Sequence, residues 1–164
     1  MEDIIGDINE FAIEFTITNK NNFMGYARLW LSGKILGDQS DLIFFDSYLF
    51  GLLEQICNSK IIEYPFPIDN QALLYFTLKK YTYQKYDVNF NGSKYCCTGA
   101  TFTDDFFVFS YLDNNCIVVL WKVRKNPSSE VVRKLGFRLN SFRMQKEKFC
   151  KLVKDYKEYI LIGG

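Results

Sequence analysis

Histidine is absent from this sequence of 164 residues. Histidine is the commonest general base in enzymes, a frequent metal ligand and the usual partner of a serine or cysteine nucleophile. Its absence disfavours catalysis and leaves only enzymes that work with carboxylates, lysine or tyrosine. The sequence also lacks the phosphate-binding and dinucleotide-binding glycine motifs, the nucleophile-elbow motif and the zinc-protease motif. We therefore predict no catalytic residue and no cofactor.

The five cysteines form neither a disulfide pattern nor a metal-binding pattern. Their number is odd, Cys96 and Cys97 are adjacent, and no pair has the Cys-x-x-Cys spacing of a zinc site. We interpret them as free thiols, buried as small apolar side chains in a reducing compartment. The alternative is a redox or metal role for Cys96 and Cys97. The sequence predicts no bound metal.

Proline and long apolar segments are also scarce. Three prolines and ten glycines leave little room for a linker. No apolar run approaches the roughly 20 residues that cross a membrane. The acidic start Met1-Glu2-Asp3 is unlike the basic start of a signal peptide. Since 48% of the residues are hydrophobic, a chain of this length can bury a substantial core. We expect one soluble, cytoplasmic domain over residues 1–164, with no membrane partner.

Alternating apolar and polar residues dominate the first part of the chain. Phe11–Thr18 and Phe23–Ser32 both alternate with a period of two, and the polar residues Asn19–Asn22 separate them. This pattern is typical of two strands that each bury one face. Ser32-Gly33-Lys34 predicts a tight hairpin loop, because glycine accepts a positive φ at little steric cost. With Lys34–Leu36 as the third strand, the segment predicts an antiparallel β-meander.

The same strands and turns also occur in a family of bacterial proteins. The shared pattern comprises Ile5-Gly6-Asp7, Phe11-Ala12-Ile13-Glu14, Gly25-Tyr26, Leu29-Trp30, Ser32-Gly33-Lys34 and Gly37-Asp38. Over this first third, the chain resembles immunity protein family forty-two, whose members accompany polymorphic and contact-dependent-inhibition toxins. The resemblance implies a cytoplasmic protein that binds and neutralises the C-terminal domain of a cognate toxin and has no catalysis of its own.

Helical periodicity follows the opening strands. Apolar residues recur at intervals of three and four and predict an amphipathic helix over Ser47–Cys57, with Asp46 or Ser47 as the N-cap. A longer helix is predicted over Ser141–Tyr159, with its first residue as the cap. Each helix has an apolar face that must be buried against the strands.

The middle of the chain predicts a short helix and a hairpin. Asp69 is expected to cap the helix, although Tyr75–Tyr83 could equally be a strand. Tyr86–Phe90 alternates, Asn91-Gly92 is a strong hairpin signal, and a return strand is expected over Lys94–Thr98.

Two further strands flank the turn Asp113-Asn114-Asn115. They are predicted over Phe106–Leu112 and Cys116–Arg124, and the apolar run in the second suits a central strand covered on both faces. Leu135–Leu139 alternates as a last strand. Because strands and helices fall into separate blocks, we predict an α+β fold. It consists of a largely antiparallel, twisted sheet of about six or seven strands with the two main helices packed on it.

Charge is distributed unevenly along the chain. Residues 1–121 have a net charge of −7 and residues 122–164 a net charge of +8, and such asymmetry indicates a charged partner surface. The basic segment could contact nucleic acid. However, its helix lysines are interleaved with Glu147, Asp155 and Glu158, as on a solvated helix face; these lysines are Lys146, Lys148, Lys151, Lys154 and Lys157. We therefore expect no nucleic-acid partner.

Acidic residues in two loops are the candidate toxin-binding residues. A nuclease needs a basic surface to hold phosphates, so an inhibitor gains affinity and association rate by presenting carboxylates. The alternative is that these aspartates only form turns and helix caps. Tyr48 and Phe106 would add apolar anchors where exposed. The predicted set is Asp38, Asp41, Asp46, Tyr48, Asp104, Asp105 and Phe106.

Two other function classes stay open. One is a nucleic-acid-binding module that uses the basic residues 122–164, for which binding would strengthen as salt falls. The other is a histidine-free enzyme, which would need a deep pocket where carboxylates or lysines converge.

Overall fold

Eight strands and four α-helices make up the described part of the chain, residues 2–63, 66–83 and 91–162 of a computed structural model. The strands are β1 Asp3–Asp7, β2 Phe11–Asn19, β3 Met24–Leu31, β4 Lys34–Leu36, β5 Ile43–Phe44, β6 Phe106–Asp113, β7 Cys116–Val123 and β8 Asn140–Gln145. The helices are α1 Phe50–Cys57, α2 Gln71–Tyr83, α3 Glu130–Lys134 and α4 Lys146–Ile162. A π-helical turn, Phe45–Leu49, runs into α1, and short 3₁₀ turns cover Gly92–Tyr95 and Thr101–Thr103. The predicted α+β class is confirmed.

The first sheet has the order β1-β2-β3-β4, with β5 paired to the other end of β3. All its strand pairs are antiparallel, and the register places Phe11 opposite Leu31 and Glu14 opposite Arg28. The predicted opening meander is therefore confirmed. Gly33 has a φ of 73° in the tight loop between β3 and β4, as that loop requires.

The second sheet has the order β6-β7-β8 and is also antiparallel. Asn114 and Asn115 form the β6–β7 turn with φ values of 47° and 60°, which asparagine tolerates in hairpins. Strand β7 is central and covered on both faces, as predicted. Ile117, Val119 and Trp121 face the main core, and the alternate residues of β7 face a second cluster that contains α2.

Helices α1 and α4 pack on the main core between the two sheets. Phe11 of β2 lies 4.8 Å from Phe149 and 5.4 Å from Tyr156, measured between ring centroids, which fixes α4 on the first sheet. The indole N–H of Trp121 donates a hydrogen bond of 3.0 Å to the carbonyl of Ile35 and so joins the sheets. None of the described helices is long and apolar enough to cross a bilayer.

The last strand lies further along the chain than predicted. Leu135 and Phe137 are exposed, whereas Phe142 and Met144 alternate into the core and form β8. The prediction of a strand over Leu135–Leu139 is therefore wrong. It fails because local alternation does not show which of two adjacent sets of apolar residues, Leu135 and Phe137 or Phe142 and Met144, is buried in the core.

Helix caps were predicted at the wrong residues. Ser141 lies within β8, so α4 begins at Lys146. The helical turn before α1 begins after Phe44 and has no side-chain cap, so neither Asp46 nor Ser47 caps it. Before α2, the side chain of Asn70, rather than Asp69, accepts a 3.0 Å hydrogen bond from the N–H of Leu73.

The predicted hairpin at Asn91-Gly92 is wrong as well. Asn91 accepts a hydrogen bond of 3.0 Å from the N–H of Ser93 and starts a 3₁₀ turn. In the described part of the chain, the predicted return strand Lys94–Thr98 is reduced to an isolated bridge at Cys96. Tertiary packing explains the glycine instead. Gly92 lies so close to α2 that any side chain there would collide with the carbonyl of Leu78. The predicted strand Tyr86–Phe90 lies outside the described residues. Tyr75–Tyr83 is helical.

Candidate functional site

Four of the predicted carboxylates meet in one shallow cleft of about 200 Å³. Two come from the loop after β4 and two from the loop before β6. The cleft is also lined by Ser40, Thr101, Phe102, Ser128 and Ser129. We call this the acidic cleft and define it by Asp38, Asp41, Asp104 and Asp105.

A close backbone approach brings the two loops together. The N–H of Asp38 donates a hydrogen bond of 2.8 Å to the carbonyl of Phe102. Gly37 precedes it with a φ of +111°, and a Cβ at that position would lie 2.6 Å from the ring of Phe102. Only glycine meets both conditions, because it has no Cβ and adopts positive φ readily. The Phe102 ring is buried in the main core, so the two loops of the cleft are anchored to the core.

Asp38 is a fixed member of the acidic cleft. Its side chain is largely buried, with 8% of the residue exposed. One carboxylate oxygen accepts from the N–H of Ser40 at 3.1 Å and the other accepts from the Ser40 hydroxyl at 2.6 Å. Asp38 therefore shapes its loop.

Asp105 is fixed in a similar way by the loop before α3. Oδ1 accepts from the N–H and the hydroxyl of Ser128, and Oδ2 accepts from the N–H of Ser129, each at 2.8 Å. Partial burial raises the pKa of Asp105, but these hydrogen bonds outweigh it and hold the pKa below its ordinary value. Ser129 in turn caps α3. The carboxylate is thus ionised and structural.

Asp41 and Asp104 are the available members of the acidic cleft. Both are exposed, and neither carboxylate makes a hydrogen bond or an ion pair within the described residues. Partial burial raises the pKa of Asp41, and so does repulsion from the carboxylates of Asp38, Asp104 and Asp105. A cation placed in the cleft would relieve this repulsion. Over residues 2–63, 66–83 and 91–162, no three acidic or cysteine side chains are placed to hold a metal ion.

The other three predicted residues lie outside the acidic cleft. Asp46 makes a 2.8 Å ion pair with Lys157 of α4. Phe106 is 3% exposed and belongs to the main core, so it offers no exposed anchor. Tyr48 is half-buried against the same core. The fold therefore separates Asp46 from Asp38 and Asp41, which lie near it in the sequence.

A buried carboxylate beside the acidic cleft was not predicted. Glu14 is 3% exposed and accepts hydrogen bonds from Arg28 at 2.8 and 2.9 Å, from the indole of Trp30 at 2.7 Å and from Gln39 at 3.2 Å. Burial raises the pKa of Glu14, but together these partners hold it below its ordinary value. Arg28 and Gln39 line a depression that shares Asp38 with the acidic cleft. The signal in the sequence was the glutamate in a strand opposite an arginine.

The predicted solvated face of the last helix is occupied by surface ion pairs. Lys148 pairs with Glu10 at 2.7 Å. Lys157 pairs with Glu54 at 3.0 Å in addition to Asp46. These lysines are therefore partly neutralised by acidic residues of the N-terminal half.

Comparisons with known proteins agree with this fold. The family model described as Immunity protein 42 matches residues 3–159, well beyond the N-terminal third in which the sequence pattern was recognised. The chain is similar to the crystal structure of CdiI from Burkholderia dolosa AUO158, with a TM-score of 0.61 and 12% identity, over 94% of this chain and 97% of that chain. At that identity the likeness concerns the fold alone. No curated protein matches the chain in sequence.

Proposed function

The chain belongs to the Immunity protein 42 family, and from this premise we propose that it inhibits a nuclease toxin through the acidic cleft. Family membership makes it an immunity protein, which neutralises a cognate toxin. We infer that it does so by binding and not by catalysis. The finer proposal is that the acidic cleft faces the toxin's phosphate-binding surface and covers it, so that the nucleic-acid substrate cannot enter.

The convergence of four carboxylates from two loops carries this proposal. Nucleases hold phosphates with lysine and arginine, so their substrate surfaces are basic. Opposite potentials steer two proteins together and fix their relative orientation. In the acidic cleft, Asp38 and Asp105 are held by hydrogen bonds, whereas Asp41 and Asp104 are free to meet a cationic side chain. The raised pKa of Asp41 supports the same conclusion, since a positive charge nearby would be favourable.

The hydrogen-bonded side chains of Glu14, Arg28 and Trp30, next to the acidic cleft, suit the rim of a protein interface. Arginine and tryptophan are enriched among residues that dominate binding energy at interfaces. Arg28 and Trp30 are both partly exposed, and the carboxylate of Glu14 holds their side chains in one orientation. A partner that covers the acidic cleft would meet these side chains already ordered, which lowers the entropic cost of binding.

Charge reversal of the two free carboxylates tests the proposal. The double variant Asp41→Lys/Asp104→Lys should bind the cognate toxin domain at least tenfold more weakly, equivalent to ~1.4 kcal/mol. It should also lose protection of toxin-producing cells. The matched control is Lys151→Glu/Lys154→Glu, which changes two exposed residues of α4. Thermal unfolding of both variants verifies that they fold.

The opposite pattern would refute the proposed site. If the cleft variant bound toxin and protected cells like the wild type while the α4 variant did neither, the interface would lie on the basic face. The toxin would then present an acidic surface.

A further inference from the structure

A second depression, of about 320 Å³, lies between α2, the end of β7 and the loop before β8. It shares no lining residue with the acidic cleft. Its walls combine aromatic rings with lysines. We call it the aromatic–lysine pocket and define it by Tyr75, Phe76, Lys79, Lys122, Lys125 and Phe137.

The lysines of this pocket lack an acidic partner among the described residues. There, no carboxylate lines the pocket, and none of Lys79, Lys122 and Lys125 makes an ion pair. Two of them lie over aromatic faces instead: Lys79 is 4.3 Å from the ring centre of Phe107, and Lys122 is 5.2 Å from that of Phe76. Arg124 also lies 4.3 Å from the ring of Phe107. The positive charge at the pocket is therefore held in place and available to an anion.

The aromatic side chains of the pocket are unusually available as well. Phe76 is 53% exposed and Phe137 is 47% exposed, so neither ring is used by the core. Tyr75 is different, because it is 1% exposed and its hydroxyl has no hydrogen-bond partner within the described residues. A buried hydroxyl without a partner is costly. Burial raises the pKa of Tyr75, so this hydroxyl stays protonated and is a donor.

We propose that the aromatic–lysine pocket binds a nucleoside phosphate, either as a free nucleotide or as one unit of a single strand. The base stacks on the exposed Phe76 or Phe137, and the lysines bind the phosphate. Lysine binds phosphate as a point charge and needs no paired-donor geometry. Base stacking on aromatic side chains tolerates any base, so we expect little base preference. The volume is at the lower end of the roughly 300–1,000 Å³ of small-ligand sites, which suits one nucleotide.

This proposal is independent of toxin binding and has its own test. Isothermal titration calorimetry compares adenosine monophosphate, adenosine and inorganic phosphate on the wild-type protein. We expect the nucleotide to bind at least about tenfold more tightly than either part alone, since only the nucleotide engages ring and lysines together. A single-stranded pentanucleotide that binds more tightly still, with affinity falling steeply as salt rises, identifies the strand as the ligand. Equal affinity for the pentanucleotide and for adenosine monophosphate identifies the free nucleotide as the ligand.

Three variants locate the binding in the pocket. Lys122→Ala and Phe137→Ala should each weaken nucleotide binding about tenfold, while Lys154→Ala on the exposed face of α4 leaves it unchanged.

Three results would overturn the proposal. The first is the absence of nucleotide and pentanucleotide binding at millimolar concentration. The second is wild-type nucleotide affinity in both Lys122→Ala and Phe137→Ala. A glutamate-rich peptide that binds the pocket while nucleotides do not would also overturn it, and would assign the pocket to an acidic protein segment.

Discussion

The backbone N–H of Asp38 donates a 2.8 Å hydrogen bond to the carbonyl of Phe102, and this bond joins the two loops of the acidic cleft. The two residues belong to different parts of the fold, one following the N-terminal meander and the other preceding the second sheet. The ring of Phe102 lies directly under Gly37. The position of the carboxylates therefore depends on the packing of a core aromatic side chain.

Gly37→Ala should separate these loops and destabilise the protein. The new Cβ would collide with the ring of Phe102, and alanine would have to adopt the φ of +111° that glycine adopts here. For both reasons we expect the free energy of unfolding to fall by about 1–3 kcal/mol. Urea denaturation measures the change. Gly99→Ala is the matched control, because Gly99 has a φ of +89° but no atom within 4 Å of a built Cβ. An equal loss in both variants would show that backbone strain, and not the contact with Phe102, accounts for the effect.

The meander was predictable because its determinants are local. In β2 and β3, alternation selects the buried face, and the polar residues and glycine between strands select the turns. The acidic cleft was predictable only in part. Nothing local indicates that the loop of Asp41 meets the loop of Asp104, because the contacts that join them are between residues far apart in the sequence. For the same reason Asp46, near Asp41 in sequence, was grouped with it although the fold pairs it with Lys157.

Errors in the second half of the chain have a similar cause. Asn91-Gly92 is an excellent hairpin dipeptide, but Gly92 is required by its close approach to Leu78 of α2. A glycine needed for a hairpin turn and a glycine needed for close packing look the same in the sequence. Likewise, Ser141 resembles a helix cap, yet the adjacent Phe142 is drawn into the core and makes the segment a strand. Tertiary packing decides such cases over local preference.

Glu14 should contribute to stability at neutral pH and lose that contribution in acid. Because its pKa is lowered in the folded state, the stabilisation is complete above its ordinary value near 4.5 and is lost as the pH falls through the folded pKa. Glu14→Gln should lower the free energy of unfolding by about 2 kcal/mol at pH 7, since it leaves Arg28 without its anion. This loss of unfolding free energy should become smaller as the pH falls from 7 to 3, which denaturation at several pH values in that range measures.

The control for Glu14 is Glu63→Gln, which removes an exposed ion pair with Lys94. That variant should change the free energy of unfolding by less than about 1 kcal/mol at pH 7. If Glu14→Gln were no more destabilising than this surface change, the hydrogen bonds of Glu14 to Arg28 and Trp30 would not stabilise the first sheet.

Asp41→Asn should have the opposite effect on stability. The pKa of Asp41 is raised in the folded state, so its ionised form is disfavoured there, and this penalty is present above the folded pKa. Removing the charge should increase the free energy of unfolding by about 0.5 kcal/mol or less at pH 7, because the side chain is exposed. The gain should vanish below the ordinary value of 3.8, where aspartate is protonated in both states.

Asp46→Asn provides the comparison for this stabilisation. It removes a charge that is paired with Lys157, so it should leave stability unchanged or slightly lower it. Thermal unfolding at pH 7 compares the two variants. A destabilised Asp41→Asn protein would mean that the carboxylates of the acidic cleft do not repel each other.

The kinetics of toxin binding should distinguish the acidic cleft from acidic residues elsewhere. Charges at the rim of an interface change mainly the association rate, and their effect is screened by salt. We expect Asp41→Lys to slow association severalfold at low ionic strength and to have little effect in about 0.5 M salt, where the screening length falls to a few Å. Asp46→Lys introduces the same charge outside the cleft, beside α4, and should slow association much less. Surface plasmon resonance with the immobilised toxin domain measures both rates. Equal slowing by the two variants would mean that the toxin responds to net charge, and the acidic cleft would then have no special place in recognition.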